Sequence, residues 1–171
     1  SIISTPIFTR IMPTDQIGIV GLFTSYLSII TAISSLALNS GGFMVGLIDF
    51  SDKRNEYVSS VVTLTTITSG IILLILLVSP SFWSKLFGLP VGLLFLLWFG
   101  CMVTPAYEFW LMRQRYEYAY KKAALITVLT SVISTLMAVF AVLAFRNLPS
   151  HLGEIRLYVA TGSSLLVYLV I

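Results

Sequence analysis

The chain of 171 residues is 57% apolar and 10% charged, with a mean hydropathy of +0.98 and a formal net charge of +3. A soluble domain carries about 25% charged residues. This composition therefore excludes an ordinary water-soluble globule, a disordered chain, a collagen-like repeat and a disulfide-stapled secreted module. The few charges are also clustered, leaving uncharged runs at 16–48, 57–84, 86–107, 123–145 and 157–171. A bilayer core takes about 20 apolar residues per helix, and four of these runs reach that length. The pattern predicts an all-α polytopic membrane protein.

In chain order, the first segment is the tail of a helix over about 1–9, with Pro6 inside it. Arg10 to Gln16 is a short polar connection, in which Pro13-Thr14-Asp15 reads as a turn leading into an N-cap. The second segment runs over 17–38; its Ser and Thr hydroxyls can bond back to helix carbonyls and so cost little in lipid. Asn39-Ser40-Gly41-Gly42 breaks it, and a more amphipathic stretch, Phe43 to Ile48, leads into the charged turn Asp49 to Glu56. The third segment, 58–79, is stopped by Pro80. A tight link carrying Trp83 and Lys85 precedes the fourth, 86–107, whose Pro90 and Pro105 predict kinks. Glu108 to Lys122 is a polar, aromatic-rich connection. The fifth segment is 123–145, Arg146 to Arg156 is a second hydrophilic link, and the sixth begins at 157 and is cut at 171. The whole reads as one membrane domain, a helical bundle of four complete and two partial spans. Because the chain opens inside an apolar stretch at Ser1 and closes at Ile171 without a polar flank, it is expected to be a fragment.

Lys and Arg in the loops set orientation. Loops 39–57 and 108–122 hold Lys53, Arg54, Arg113, Arg115, Lys121 and Lys122, against Arg10, Lys85, Arg146 and Arg156 in the others. The bias puts the first pair of loops in the cytoplasm. Tyr107, Trp110, Tyr116, Tyr118 and Tyr120 fit an interfacial aromatic belt there, and Trp83 fits the opposite one.

The chemistry inventory is spare. With one Cys (Cys101) and one His (His151), a zinc site cannot be assembled without distant carboxylates. Cys101 reads as a small core hydrophobe and His151 as an exposed loop residue. Phosphate-loop, dinucleotide and nucleophile-elbow motifs are absent. Gly42–Gly46 and Gly88–Gly92 match the spacing for close helix packing. The basic balance fits positive-inside residues and anionic head groups, so no nucleic-acid partner is expected. No charged residue lies deep inside a complete span, which argues against a coupling acid of the kind ion-driven carriers display.

Two clusters could carry function. Arg10, at the end of the first segment and five residues before Asp15, reads either as interfacial snorkelling with helix capping or as a guanidinium holding a phosphate or sugar acid. The stretch Phe109 to Lys122 interleaves Arg113, Gln114, Arg115, Lys121 and Lys122 with aromatic residues. It reads either as an interfacial anchor or as a binding surface, where rings stack on sugars and cations meet phosphates.

At these clusters the sequence resembles the Wzx-type oligosaccharide flippases of the polysaccharide-biosynthesis family, within the multidrug/oligosaccharidyl-lipid/polysaccharide exporter superfamily. The resemblance rests on Arg10, Asp15 and Gly18 around the second segment, with Ile17 where an aromatic residue is usual. It also rests on the small-residue break with Asn39, Gly41 and Gly42 and the charged stretch to Tyr57, and on Gln114-Arg115-Tyr116 with Lys121 and Lys122. It implies most of the first half of a two-bundle transporter in a bacterial inner membrane. Such a transporter moves a polyprenyl-diphosphate-linked oligosaccharide (an O-antigen, capsule or exopolysaccharide unit) by alternating access. It also implies substrate contacts at Arg10, Arg113, Arg115, Lys121 and Lys122, and structural or gating roles for Asp15, Gly18, Asn39, Gly41, Gly42 and Gln114. The implied partners are the bilayer, the lipid-linked oligosaccharide, and the polymerase and glycosyltransferases of the same pathway. No enzyme activity, metal or cofactor is expected. The alternatives are a small-molecule exporter of the same superfamily and a membrane enzyme of polysaccharide assembly; the latter would need longer external loops than 10–16, 80–85 and 146–156.

Overall fold

The computed structural model describes residues 4–38, 41–145 and 151–170. Among the described residues there is no strand. The chain order is α1 (Ser4–Ile11), α2 (Thr14–Ser34), α3 (Gly42–Asp49), a 3-10 turn (Ser51–Lys53), α4 (Arg54–Val78), α5 (Pro80–Phe87), α6 (Val91–Tyr116), α7 (Tyr120–Ala144) and α8 (Leu152–Val170). Among the described residues, four stretches are long and apolar enough to cross a membrane: Thr14–Ser34, Ser51–Val78, Val91–Tyr116 and Tyr120–Ala144. They overlap the uncharged runs at 16–48, 57–84, 86–107 and 123–145.

The element ends differ from those expectations, for identifiable reasons. The expected span 86–107 is two pieces. Leu86 and Phe87 finish α5, where Gly88 takes the left-handed conformation at φ 64° and caps the helix. Pro90 then sits at the N-cap of α6. At its other end α6 runs nine residues beyond Tyr107, to Tyr116. Nothing in Glu108–Arg115 breaks a helix, because polarity marks the edge of hydrocarbon and not the end of hydrogen bonding. The break comes at Tyr118, at φ 58°, so the expected 108–122 connection shrinks to residues 117–119. The link at 80–85 is itself helical, with Pro80 at a first-turn position where its missing N–H is harmless. Helix α2 starts at Thr14 with Pro13 at its N-cap, so Asp15 lies in the first turn instead of capping it. It ends at Ser34 because Leu36 and Ala37 adopt φ of 50° and 54°. The last helix starts at Leu152, before the expected 157, again because Glu154 and Arg156 are compatible with helix.

Helix α6 is the centre. In its most apolar stretch 44% of residues are buried, against 17% to 22% in the other three long helices. It packs against α2, α3, α4, α5, α7 and α8. A buried cluster of Phe23, Leu76, Leu93, Leu94, Leu97 and Leu157 joins α2, α4, α6 and α8. Beside it is a polar node. Pro105 has no N–H to donate to the carbonyl of Cys101, one turn back. Two neighbouring helices supply the donors: Ser34 Oγ of α2 at 3.2 Å and Ser69 Oγ of α4 at 3.4 Å. Both serines are fully buried. The indole of Trp98 donates in turn to the Ser69 carbonyl at 2.8 Å.

The outward surface is apolar. Along α7, Leu125, Val128, Val132, Leu136 and Phe140 are exposed, and along α4, Ile67, Ile71, Leu74 and Val78. Exposed hydroxyls of α2 and α4 bond to their own helix, as Thr24 does to Val20, Ser28 to Thr24, Thr63 to Ser59 and Thr68 to Leu64. Of the two Gly-x-x-x-Gly spacings, one glycine each lies at a helix contact: Gly46 of α3 lies under the Tyr57 ring of α4 and Gly92 of α6 meets the Tyr158 hydroxyl of α8, whereas Gly88 is a cap and a Cβ on Gly42 would meet Leu38. At the α2–α8 contact, a Cβ on Gly153 of α8 would stand 2.8 Å from the Gln16 carbonyl of α2.

Two outcomes follow for stability in detergent. Replacing both Ser34 and Ser69 by Ala leaves the Cys101 carbonyl buried without a donor, and unfolding free energy falls by about 1–2 kcal/mol. Adding Pro105→Ala restores an N–H and recovers most of the loss; no recovery would show that the carbonyl is not what the serines serve. Gly153→Ala forces α8 away from α2 and costs about 1–3 kcal/mol, measurable by the same denaturation curves.

Candidate functional site

The alternating helices give the bundle two ends. At one, Phe8 and Met12 of the α1 end pack with Ala138 and Val142 of α7 and Leu152 of α8, and Gly153 N–H donates to Gln16 Oε1 at 3.1 Å. At the other, Phe43 and Leu47 of α3 pack with Val61 of α4 and Phe109 of α6. Arg10, Asp15 and Gly18 belong to the first end. Arg113, Gln114, Arg115, Lys121 and Lys122 belong to the second, with Gly41 and Gly42. The two candidate clusters therefore face opposite ends and do not form one site.

At the α3 end the cations have different surroundings. Arg113 is half-buried, and its Nε donates to Glu117 Oε1 at 2.9 Å within one helix face. Arg115 is exposed and lines an open cavity of about 270 Å³ with Leu111, Tyr120, Ala123 and Thr127, at the seam between α6 and α7. Lys121 and Lys122 are exposed on the first turn of α7, outside that lining, and Gln114 is half-buried. Of the five expected contacts, Arg115 lines this cavity.

Two basic residues joined this end without being singled out in the sequence. Arg54, in the first turn of α4, lays its guanidinium 4.9 Å from the centre of the Tyr116 ring, and its Nη2 donates to the Tyr116 hydroxyl at 3.2 Å. Tyr116 itself closes α6, so the contact ties α4 to α6. Lys53 pairs with Glu56 at 3.5 Å; both line a larger open cavity of about 410 Å³ with Phe50, Tyr57 and Ser60. The charged stretch before Tyr57 was the sequence signal for both residues.

At the α1 end Arg10 is exposed on the last turn of α1, and Asp15, exposed on the first turn of α2, accepts from Gln16 Nε2 at 3.3 Å. Gly18 has open space around it: nothing lies within 4 Å of where a Cβ would be. Gly41 has a backbone reason, φ 128° at the N-cap of α3, and a Cβ on Gly42 would come within 3.3 Å of Leu38. Asn39 lies outside the described residues. The residue that sequence reading overlooked here is Arg156, counted as a loop cation. It sits on α8, half-buried, 3.7 Å above the Phe8 ring. No sequence signal marks that contact, because it exists only once α1 and α8 meet. His151 is exposed and stands 3.6 Å from Glu154.

The interior also holds polar groups on α6, α7 and α8. Tyr107 is buried, with its ring stacked on Tyr168 at 3.9 Å and its hydroxyl 3.2 Å from Thr127 Oγ1. It is therefore a core residue and not part of an interfacial belt, whereas Tyr118 and Tyr120 are exposed as a belt requires. Glu108 follows it within α6, half-buried, where a connection had been expected. Cys101 is buried with Thr31 Oγ1 at 3.9 Å from its sulfur. Among the described residues no three His, Cys, Asp or Glu side chains converge.

Comparison with family models, with curated proteins and with solved structures found no match. The site is thus read from its own chemistry. The polar contact that ties α4 to α6 there is Arg54–Tyr116, for which a double-mutant cycle of Arg54→Met and Tyr116→Leu is expected to give a coupling of about 0.5–2 kcal/mol. Additive losses would mean that the contact contributes nothing.

Proposed function

We propose that the four long apolar helices cross a bacterial cytoplasmic membrane with the α3 end in the cytoplasm. In this reading the chain is most of the first bundle of a two-bundle transporter. The transporter moves a polyprenyl-diphosphate-linked oligosaccharide to the outer leaflet by alternating access. The observation that carries this reading is Arg115 at an open cavity between α6 and α7, at the end that also holds Lys53, Arg54, Arg113, Lys121 and Lys122. A diphosphate cannot enter hydrocarbon unpaired. A guanidinium and an aromatic residue lining one cavity, here Arg115 and Tyr120, suit a head group that carries both phosphate and sugar. The ring of other cations raises the local concentration of such an anion. Arg10, exposed at the far end, would meet the same head group on release. The pathway's polymerase and glycosyltransferases are the partners this activity requires.

Glu108 favours a second reading. A half-buried acid inside the central helix is a feature of ion-coupled small-molecule exporters, and it also serves an ion-coupled flippase.

In a cell that depends on the protein, Arg115→Ala is expected to reduce surface glycan at least about tenfold, equivalent to about 1.4 kcal/mol of lost phosphate binding, with the protein level unchanged. Normal display would remove Arg115 from the role. Arg10→Ala should also reduce display; wild-type behaviour of Arg10→Lys would mean that charge, and not the bidentate fork, matters there. Drug sensitivity in place of a glycan defect would favour the exporter.

A further inference from the structure

Between α2, α4 and α6, and closed at one end by α5, lies an apolar cleft of about 160 Å³. Ile30 and Ile33 form one wall, Ile72 and Ile75 the other, and Trp83 and Trp98 stand at its ends; Leu76, Leu94 and Leu97 are buried beneath. The two indole N–H groups are the polar side-chain atoms of the lining, and both are already used. Trp83 donates to the Ile75 carbonyl at 3.0 Å and Trp98 to the Ser69 carbonyl at 2.8 Å. No side-chain donor or acceptor of the lining is left for a polar ligand.

We infer that this cleft holds the acyl chain of a membrane phospholipid. The inference rests on the proposal that these helices cross a bilayer. Three observations point to this occupant. The rim residues Ile33 and Ile75 are 57% and 51% exposed, and they continue into the exposed apolar surfaces of Ile29 on α2 and of Ile71 and Leu74 on α4. The cleft thus opens sideways onto the surface that would face lipid, not onto water at either end. Its volume is too small for a further helix, whose diameter with side chains is about 10–12 Å, but it admits a segment of a single hydrocarbon chain. With the indoles engaged, filling the cleft leaves no polar group newly unsatisfied, so burial of methylenes alone drives binding. A lipid seated there would wedge α2 against α4 just beside the Ser34–Cys101–Ser69 node.

The test uses tryptophan emission and phosphatidylcholine brominated in mid-chain, with the full chain in detergent micelles. One version keeps Trp98 alone (Trp83→Phe, Trp110→Phe). A control version lacks all three native indoles and carries Phe140→Trp on the exposed face of α7, where Phe140 is 75% exposed. Trp98 quenching is expected to saturate at low lipid-to-protein ratio, while quenching of the control rises steadily with brominated lipid. Ile72→Phe, which fills the cleft, should weaken the saturable binding by about tenfold, the loss of roughly two buried methylenes. Ile72→Ala, which widens it, should retain saturation and guards against a folding defect in the first variant. A Trp98 signal that tracks the control, or that is absent while the control is quenched, overturns the cleft and leaves the bilayer reading intact. Absence of quenching at both positions overturns both. Displacement by a polyprenyl phosphate far more readily than by unbrominated phosphatidylcholine would overturn the phospholipid assignment in favour of an isoprenoid tail.

Discussion

One missing hydrogen organises the interior. Pro105 removes an N–H from the central helix, and the carbonyl it abandons, that of Cys101, lies where water cannot reach. In such a place an unpaired carbonyl is costly, and the cost is met by Ser34 from α2 and Ser69 from α4. Three of the four longest apolar helices are thereby fixed to one another at a single depth and rotation. Packing of leucine against leucine cannot do this as well: apolar contacts tolerate rotation and sliding, whereas two hydroxyls aimed at one oxygen do not. The bond from Trp98 to the Ser69 carbonyl extends the same node toward the cleft.

The consequences run outward along α6. With its middle pinned, its last turns carry Phe109, Arg113 and Tyr116 into the α3 end, where Phe109 stacks near Phe43 with ring centres 4.6 Å apart and Tyr116 receives Arg54. The same rotation turns Arg115 to the α7 seam. The basic cluster is thus attached to a rigid element, which a site for a charged head group needs. The apolar coat on α4 and α7, together with the exposed hydroxyls of α2 and α4 bonded back to their own helices, is the solution expected of surfaces that meet hydrocarbon.

The four long helices were legible in the sequence because charge-free length is the quantity that a bilayer selects. Their ends were not, since apolarity reports hydrocarbon and a helix stops for other reasons: Gly88 and Tyr118 at positive φ, Leu36 and Ala37 likewise. Helix α5 was missed because eight residues that begin at Pro80 and end shortly before Pro90 look like a link. Pro105 was visible as a disruption, but its partners Ser34 and Ser69 are 71 and 36 residues away in sequence and nothing local distinguishes them from other hydroxyls of the spans. The basic residues of the candidate site were legible as a cluster; their separate fates depend on helix rotation. Arg113 turns to Glu117 and Arg115 to the cavity. Rotation is set by tertiary contacts, above all by the proline node.

That node can be observed directly. The sequence contains a single cysteine, so cysteine labelled with ¹³C at its carbonyl reports on the Cys101 carbonyl alone. Its isotope-shifted infrared band in the folded protein is predicted to lie at the low frequency of a hydrogen-bonded carbonyl. The band should move to higher frequency when Ser34 and Ser69 are both alanine. A band at the position of a free carbonyl in the unaltered protein, or one that the two substitutions leave in place, would contradict the account.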